Sequence, residues 1–277
     1  MTKIPLYKYY PESDFNTELD VHVISQKSHY EDYNAHRHGY YELFFFRQGG
    51  GKHTIDFIDL PIADLSIHAV SPGQVHRLQH SDTCKGKYIV FSQEVVKDIL
   101  GAKHLQQFAL LNNNSHPISL QLSTHLFDEL DSMVTSLTDN LDNAAISRSW
   151  LQLILTYTDR EFHKSFPAKF EYVKNHEYQL FKQLLEYNYH EQQAVSWYAE
   201  KLSVSEKKLN LLTKDITGET PSALIQHRIL LEAKRLILHS SSSLKEIAYD
   251  LGFNDPAYFS RFIKKQLGQS PTELRNA

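Results

Sequence analysis

A pattern of two short helices joined by a tight turn lies near the end of the 277-residue chain. Apolar residues between Ile247 and Leu251 share one helical face, and Gly252 is suited to ending that helix because glycine accepts a left-handed conformation. Asp255 is suited to capping a second helix, and Pro256 to its first position, where a missing N–H costs nothing. The segment therefore predicts a helix-turn-helix.

The second helix of this pattern has two contrasting faces. Phe259, Phe262 and Ile263 recur at the spacing of an inward-facing stripe. A small, polar and cationic face lies apart from that stripe and consists of Ala257, Ser260, Arg261 and Lys264. Such a face on a helix held by a helix-turn-helix suits insertion into the major groove of DNA.

The same pattern occurs a second time, about fifty residues earlier. Residues 198–204 match residues 247–253, and residues 205–218 match the following helix with one residue fewer in the turn. A two-helix repeat of this length indicates a duplicated unit. Between the copies, Thr220 can cap a linker helix from Pro221 to about residue 239. A helix of this length spans about 27 Å, somewhat less than one turn of DNA.

The chain resembles the AraC/XylS family of bacterial transcription regulators over about residues 170–277. The resemblance rests on residues 244–253, residues 258–265 and Gly268-x-x-Pro271. It implies an all-α domain with two helix-turn-helix units that bind double-stranded promoter DNA. The predicted DNA contacts are Lys207, Lys208, Asn210, Leu211, Lys214, Ala257, Ser260, Arg261, Lys264 and Lys265.

The matched positions differ in what they can recognise. Lys207 and Lys208 can reach guanine or phosphate, and Asn210 can pair with adenine. Leu211 departs from the family, in which arginine is common at this position, and it aligns with Arg261 of the second unit. A leucine can contact a thymine methyl but cannot read guanine, so the first unit is expected to bind with less selectivity. Arg261 is the strongest base-reading candidate.

Net charge does not distinguish a DNA-binding protein here. The chain has 29 Lys plus Arg against 33 Asp plus Glu, and residues 170–277 contain 14 Lys plus Arg against 13 Asp plus Glu. Only the local cationic face of the second helix therefore argues for DNA binding. One cysteine, Cys84, excludes an internal disulfide framework. No apolar run approaches 18 residues, and the N-terminus has no apolar signal segment. We expect a soluble cytoplasmic protein with no membrane partner.

Residues 1 to about 100 are predicted to form β-structure. Residues 40–46 are rich in β-formers, and the glycines at 49–51 lead into residues 53–58, which predicts a hairpin with a glycine loop. Residues 66–70 and 87–91 are further short runs of β-forming residues, and their spacing is that of a small barrel or sandwich.

Two motifs in this region resemble those of cupins, small β-barrels that often bind a metal through three histidines and one glutamate. The first motif is His36-x-His38-x-x-x-Glu42, and the second runs from Pro72 to His76. The spacing between Pro72 and His76 is one residue shorter than is usual in cupins. The first three residues are all even-numbered, so an extended strand would direct them to one side. Imidazole and carboxylate together suit Zn, Fe, Mn or Ni.

Three interpretations of this cluster remain open. AraC-type regulators commonly carry a cupin-like sensor domain that uses the barrel interior for a small effector without any metal, and we favour that interpretation, with no cofactor. A divalent metal held by His36, His38, Glu42 and His76 is the second, and a purely structural hydrogen-bonded cluster is the third. The residues predicted to line the effector pocket are His36, His38, Tyr40, Glu42, Phe44, Phe46 and His76.

Residues 101–165 show helical periodicity, with leucines at 122, 126, 130, 137 and 141. These helices either cap the barrel or, as the family resemblance implies, pair with their counterparts in a homodimer. The predicted fold is therefore α+β in two domains: a cupin-like domain at 1–166 with its barrel at about 1–100, and a DNA-binding domain at 170–277 with a linker helix at about 221–239.

Two function classes are compatible with these features. The first is a transcription regulator in which a small effector shifts a dimer between arrangements that do or do not suit neighbouring half-sites, with RNA polymerase as a partner if it is an activator. The second is a cupin metalloenzyme with a helical appendage. No nucleophile–base pair or phosphate-cradling loop supports any other enzyme class. The prediction is the regulator, not an enzyme.

Overall fold

The computed structural model describes residues 6–7, 18–24, 35–105, 108, 111, 118–166 and 175–276. One compact unit lies within residues 4–170 and a second within residues 171–277. Among the described residues, no helix is both long enough and apolar enough to cross a membrane.

The described residues of the N-terminal unit form two five-stranded sheets. The strands are β1 Leu6–Tyr7, β2 Leu19–Ile24, β3 His36–His38, β4 Tyr41–Gln48, β5 Gly51–Ile55, β6 Ile58–Pro61, β7 Ser66–Val70, β8 Val75–His80, β9 Lys85–Phe91 and β10 Ile118–Gln121. Their orders are β1-β3-β8-β5-β6 and β10-β7-β4-β9-β2. Phe44 and Phe46 of one sheet share a buried core with Ile55 and Leu78 of the other, so the sheets pack face to face.

The glycine loop after β4 joins the two sheets and does not close a hairpin. β4 pairs with β7 and β9, whereas β5 pairs with β6 and β8, so the predicted hairpin is wrong. A Cβ on Gly49 would lie 2.3 Å from the carbonyl oxygen of Ile62, and one on Gly51 would lie 2.1 Å from that of Gln79. The glycines are therefore needed because the crossing chain passes against neighbouring backbone. The predicted second strand also ends early, since Asp56 adopts φ 51° and turns the chain into β6.

The described part of the N-terminal unit contains three helices: α1 Gln93–Leu105, interrupted at Gly101, α2 Thr124–Thr138 and α3 Ala144–Ser165. The segment predicted to be helical, 101–165, also contains β10, which pairs with β7. That part of the prediction is wrong because the leucine periodicity begins only at residue 122, whereas residues 118–121 alternate between apolar and polar as a strand does. α1 begins at Gln93, before the predicted end of the barrel at about residue 100.

The regular elements of the C-terminal unit within residues 175–276 are all helices. Its helices are α4 His176–Asn188, α5 Val195–Lys201, α6 Glu206–Thr217, α7 Pro221–His239, α8 Leu244–Asp250, α9 Pro256–Leu267 and α10 Pro271–Asn276. One apolar core joins them and includes Phe181, Tyr198, Ile229 and Phe259. The predicted α+β class, with a β-rich N-terminal domain and an all-helical C-terminal domain, is confirmed.

The two helix-turn-helix units share their turn geometry. Ser203 and Gly252 occupy equivalent positions with φ of 56° and 77°. The N–H of the next residue donates to the carbonyl of Ala199 in the first unit and of Ala248 in the second, both at 2.9 Å. The predicted cap is also confirmed, because the Asp255 carboxylate accepts from two backbone N–H groups of α9. The duplication predicted from the sequence is therefore a structural repeat.

Candidate functional site

Three histidines and one glutamate converge between the two sheets of the N-terminal unit. His36 and His38 lie on β3, His76 lies opposite His36 on the neighbouring β8, and Glu42 lies on β4 of the facing sheet. All four side chains are buried. The parity argument placed His36, His38 and Glu42 on one strand, and this is wrong because β3 and β4 belong to different sheets. The side chains converge because the two sheets face each other.

The ligand-type atoms of this cluster lie close together. His38 Nε2 is 3.0 Å from His76 Nε2 and 3.1 Å from Glu42 Oε2, and His76 Nε2 is 3.4 Å from the same Oε2. One ring nitrogen each from His36, His38 and His76 lies within 4.8 Å of the others. The short second motif still brings His76 into the cluster. The turn before it is anchored, since the N–H of Gly73 donates to the carbonyl of His38 at 2.8 Å.

A row of imidazoles extends the cluster through the space between the two sheets. His76 Nδ1 lies 3.0 Å from His53 Nε2, and His53 Nδ1 lies 3.3 Å from His68 Nδ1. His38 Nδ1 lies 2.8 Å from the carbonyl oxygen of Tyr40. A carbonyl oxygen can only accept a hydrogen bond, so His38 Nδ1 is the donor. His68 Nε2 is buried and has no hydrogen-bond partner among the described residues.

Burial keeps the His53, His68 and His76 imidazoles neutral at physiological pH. Desolvation, reinforced by neighbouring histidines, holds the pKa of His53 and of His76 well below the usual value. Desolvation lowers the pKa of His68 to about 4. Burial raises the pKa of the nearby Tyr88 hydroxyl, and the charge of Glu42 adds to that shift. Each neutral ring carries one N–H, so the row can act as a chain of single donors and single acceptors.

The aromatic residues predicted for the pocket lie in two different places. Phe44 and Phe46 are buried beside the row, with their rings edge-on to His53 and His68 at centroid distances of 4.9 and 5.0 Å. Tyr40 lies outside the strands, in the bend between β3 and β4, where its ring stacks on His38 at 4.0 Å.

Sequence reasoning missed two histidines of the row. His53 and His68 point inward from β5 and β7 and match neither cupin motif. Because successive side chains of a strand point to opposite faces, the sequence of each strand could have indicated that these histidines point inward. Only the strand register, which pairs His68 with Phe44 and His76 with Ile55, shows that they meet.

The C-terminal unit exposes most of the residues predicted to contact DNA. Asn210 and Ser260 are half-buried, and each donates a side-chain hydrogen bond to a carbonyl one turn earlier in its own helix. Eight of the ten predicted residues are exposed on α6 and α9: Lys207, Lys208, Leu211, Lys214, Ala257, Arg261, Lys264 and Lys265.

Two of the predicted contacts form ion pairs within the unit. Lys208 Nζ lies 2.6 Å from Glu177 Oε1, and Arg261 Nη2 lies 3.6 Å from Asp255 Oδ2. The Arg261 side chain nevertheless remains 68% exposed. Exposed pairs of this kind contribute little, so they do not prevent either cation from binding a phosphate or a base.

Large exposed side chains also lie on this surface. Tyr258, which sequence reasoning did not select, is 56% exposed and lies beside Arg261, whose guanidinium carbon is 5.9 Å from its ring centroid. Leu211 is 61% exposed.

Comparisons with known proteins match both units of the chain. A family profile described as AraC-like ligand binding domain matches residues 18–154, and one described as helix-turn-helix domain matches residues 198–277. The HTH-type transcriptional activator RhaS of Escherichia fergusonii is 22% identical over 283 residues, covering 99% of this chain and 97% of the relative. RhaS of Mannheimia succiniciproducens is 25% identical over 268 residues, covering 94% and 96%.

Among solved structures, ToxT from Vibrio cholerae matches with a TM-score of 0.46 and 14% identity, covering 93% of this chain and 97% of that chain. The two family profiles fall on the two units of the chain in the order that the sequence predicted. The relatives that match over nearly the whole chain are transcriptional activators, not metalloenzymes. This chain therefore belongs to the AraC/XylS family of transcription regulators, with a ligand-binding domain followed by a helix-turn-helix DNA-binding domain.

Proposed function

We propose that this regulator activates transcription by binding two half-sites of promoter DNA through α6 and α9, in response to a small molecule bound between the sheets of its N-terminal unit. The observation that supports the proposal best is the division of α9 into two faces. Phe259 and Ile263 hold the helix in the core, while Arg261 and Lys264 extend into solvent on the opposite side. This is the arrangement of a recognition helix.

On α9, Arg261 is the proposed base reader. Its planar guanidinium can donate two parallel hydrogen bonds to the O6 and N7 atoms of guanine, a contact that discriminates by about 1–3 kcal/mol. Ala257 and Ser260 lie beside it, and their small side chains allow the helix to approach the bases. Lys264 and Lys265 bind phosphates and set the position of the helix without reading sequence.

On α6, Lys207, Lys208 and Lys214 contribute mainly to affinity, and Asn210 is the candidate for adenine. Leu211, at the position equivalent to Arg261, can contact only a thymine methyl. The first half-site should therefore be the less stringent of the two. The connecting helix α7 has 19 residues and spans about 28 Å at 1.5 Å per residue, which suits adjacent major grooves on one side of the duplex.

A homodimer is the proposed assembly, formed through a second apolar face of α3. Leu151 and Ile154 are buried within the unit. Ile146 and Leu153, on a different side of the helix, are 42% and 44% exposed. With Trp150 and Tyr157 they form a stripe spaced four, three and four residues apart, which suits pairing with the same helix of a second copy about a two-fold axis.

The dimer is tested by sedimentation velocity of Leu153→Glu against Gln152→Glu. Both substitutions add one charge to exposed neighbouring positions of α3. We expect Leu153→Glu to sediment as a monomer and Gln152→Glu as a dimer. A dimer in both variants would place the interface elsewhere.

Two further features of the proposal follow from its relatives and its target. RhaS relatives are named activators, and an activator acts through RNA polymerase, so the polymerase is a proposed partner of this chain. Chromosomal DNA is the target, so the proposed location is the cytoplasm.

DNA reading is tested by selecting bound duplexes from a random pool with wild type, Arg261→Ala and Lys85→Ala. Lys85 is an exposed cation of the N-terminal unit and serves as the matched control. We expect two half-sites in the wild-type motif, with relaxed preference at one or two base pairs in Arg261→Ala only. A folded wild type that enriches no motif, with or without added metabolites and metal ions, would contradict the proposal.

A further inference from the structure

The carboxylate of Asp255 contacts both the first turn of α9 and the proposed base reader, Arg261. Its Oδ1 accepts a hydrogen bond from the N–H of Ala257 at 2.8 Å, and its Oδ2 accepts one from the N–H of Tyr258 at 3.2 Å. The same Oδ2 lies 3.6 Å from Nη2 of Arg261. One carboxylate therefore caps the helix and also forms an ion pair with a guanidinium further along it.

Helical geometry explains why Arg261 reaches the start of its own helix. Long side chains of a helix lean toward its N-terminus, so the guanidinium lies over the preceding turn. Its carbon is 5.9 Å from the centroid of the Tyr258 ring, and Tyr258 is 56% exposed. The N-terminal residues of a recognition helix are the ones that contact base edges. Asp255 and Tyr258 thus flank the guanidinium at the end of α9 that is expected to meet the bases.

The first helix-turn-helix unit has neither member of this ion pair. Ser205 occupies the position of Asp255 and caps α6, because its Oγ accepts from the N–H of Lys208 at 3.1 Å. Leu211 occupies the position of Arg261. A neutral hydroxyl is thus enough to cap the equivalent helix, so capping alone does not explain the negative charge of Asp255. Of the two units, the one with the carboxylate is the one with the arginine.

The ion pair should matter more on DNA than in the free protein. In solution it contributes little, because the two side chains are 68% and 57% exposed. Insertion of α9 into the major groove would displace water from the pair, and opposite charges attract more strongly at a lower dielectric constant. A guanidinium has five N–H donors, so a contact of Nη2 with Asp255 leaves others for guanine. The carboxylate also repels phosphates, which lowers the affinity for DNA of any sequence.

We propose that Asp255 is a specificity-determining positioning residue for DNA recognition. Its carboxylate directs the Arg261 guanidinium toward a guanine and away from the phosphates, which bind DNA-contacting side chains without regard to sequence. DNA binding is therefore weaker overall but depends more strongly on the base pair that Arg261 meets. This positioning role rests on the proposed function, because it concerns how α9 reads DNA.

The test measures the affinity of the full-length protein for three duplexes. They are the duplex selected from the random pool, the same duplex with the guanine pair assigned to Arg261 replaced, and an unrelated sequence. Asp255→Asn is the informative variant, since asparagine caps a helix as well as aspartate does but carries no charge. Asp142→Asn, which removes a negative charge from an exposed position of the N-terminal unit, is the matched control.

We expect Asp255→Asn to bind the unrelated duplex about threefold more tightly than the wild type. Its discrimination between the selected and the altered duplex should fall by about threefold or more, because the guanidinium is then free to turn to phosphates. Asp142→Asn should match the wild type in both measurements. In an Arg261→Ala background, Asp255→Asn should still tighten binding to the unrelated duplex but should leave the discrimination unchanged. A role in capping alone would not move the discrimination in either background.

Asp255→Ser, a second charge-free variant, reproduces the cap of α6 and should behave as Asp255→Asn does. Wild-type discrimination in both charge-free variants, with discrimination lost in Arg261→Ala, overturns the positioning role and leaves the proposed DNA reading intact. A further loss caused by Asp255→Asn in the Arg261→Ala background also overturns it, because the effect would not act through the guanidinium. If Arg261→Ala discriminates as well as the wild type, the proposed base reader itself is wrong.

Discussion

Nε of Arg228 on α7 lies 2.8 Å from Oε2 of Glu186 on α4, and both side chains are largely buried. Arg228 also bonds Glu232, and its guanidinium lies 3.9 Å from the centroid of the Tyr189 ring. Burial opposes the charge on Arg228, but the two carboxylates outweigh it and raise its pKa. This ion pair therefore ties the first helix of the C-terminal unit to the helix that joins the two helix-turn-helix units.

Removing one partner of that pair should destabilise the C-terminal unit. Glu186→Gln leaves the Arg228 charge partly uncompensated in a buried position, and we expect a loss of about 3 kcal/mol in the free energy of unfolding. Urea unfolding, followed by the fluorescence of Trp197, measures the change. Glu177→Gln, on the same helix, breaks the exposed pair with Lys208 and should cost less than about 1 kcal/mol. Similar losses in both variants would contradict this ranking.

Two glycines of the second helix-turn-helix provide a matched test of packing. Gly252 and Gly268 have φ of 77° and 74°, so alanine is strained by about 1 kcal/mol at either position. A Cβ on Gly252 would lie 2.2 Å from the His190 carbonyl oxygen, whereas a Cβ on Gly268 meets nothing within 4 Å. We expect Gly252→Ala to lower the melting temperature of the C-terminal unit clearly more than Gly268→Ala. Equal shifts would mean that the turn relaxes freely.

The stability of the N-terminal unit should fall in mild acid because of His68. Its pKa is lowered to about 4, so between about pH 6.5 and 4 the unfolded chain binds a proton that the folded chain does not. Stability is therefore present above pH 6.5 and is lost as the pH falls, by about 3 kcal/mol from this group.

Urea unfolding in chelator at pH 7 and pH 5 measures this dependence. We expect the difference between the two values to shrink in His68→Leu and to stay unchanged in His125→Leu, which removes an exposed histidine of α2. An unchanged difference in His68→Leu would assign the acid sensitivity to other groups.

Leu211→Arg should make α6, the proposed first recognition helix, more selective. The position is exposed and equivalent to that of Arg261, so a guanidinium there can reach guanine or phosphate. We expect tighter binding to the selected duplex, a salt dependence steeper by about one unit and a new guanine preference in the weaker half-site. Leu211→Gln, which removes the apolar surface without adding charge, is the control. The same gain with glutamine would show that charge is not the cause.

Local chemistry explains which parts of the chain the sequence predicted well. The caps at Thr220 and Asp255 and the left-handed turn at Gly252 depend on residues within about four positions of one another, and the structure contains all three. The exposed cationic face of α9 follows from helical periodicity alone. The duplicated helix-turn-helix and the family could therefore be predicted from the amino-acid sequence.

Pairing between distant strands explains what the sequence alone did not determine. β3 and β4 lie three residues apart, yet they enter different sheets, because β3 pairs with β8 while β4 pairs with β7 and β9, and local alternation does not decide these partners. His53 and His68 join the row of His76 only through that register. Local sequence thus determined the helical DNA-binding domain, while the convergence of histidines in the barrel was decided by long-range strand pairing, which no periodicity encodes.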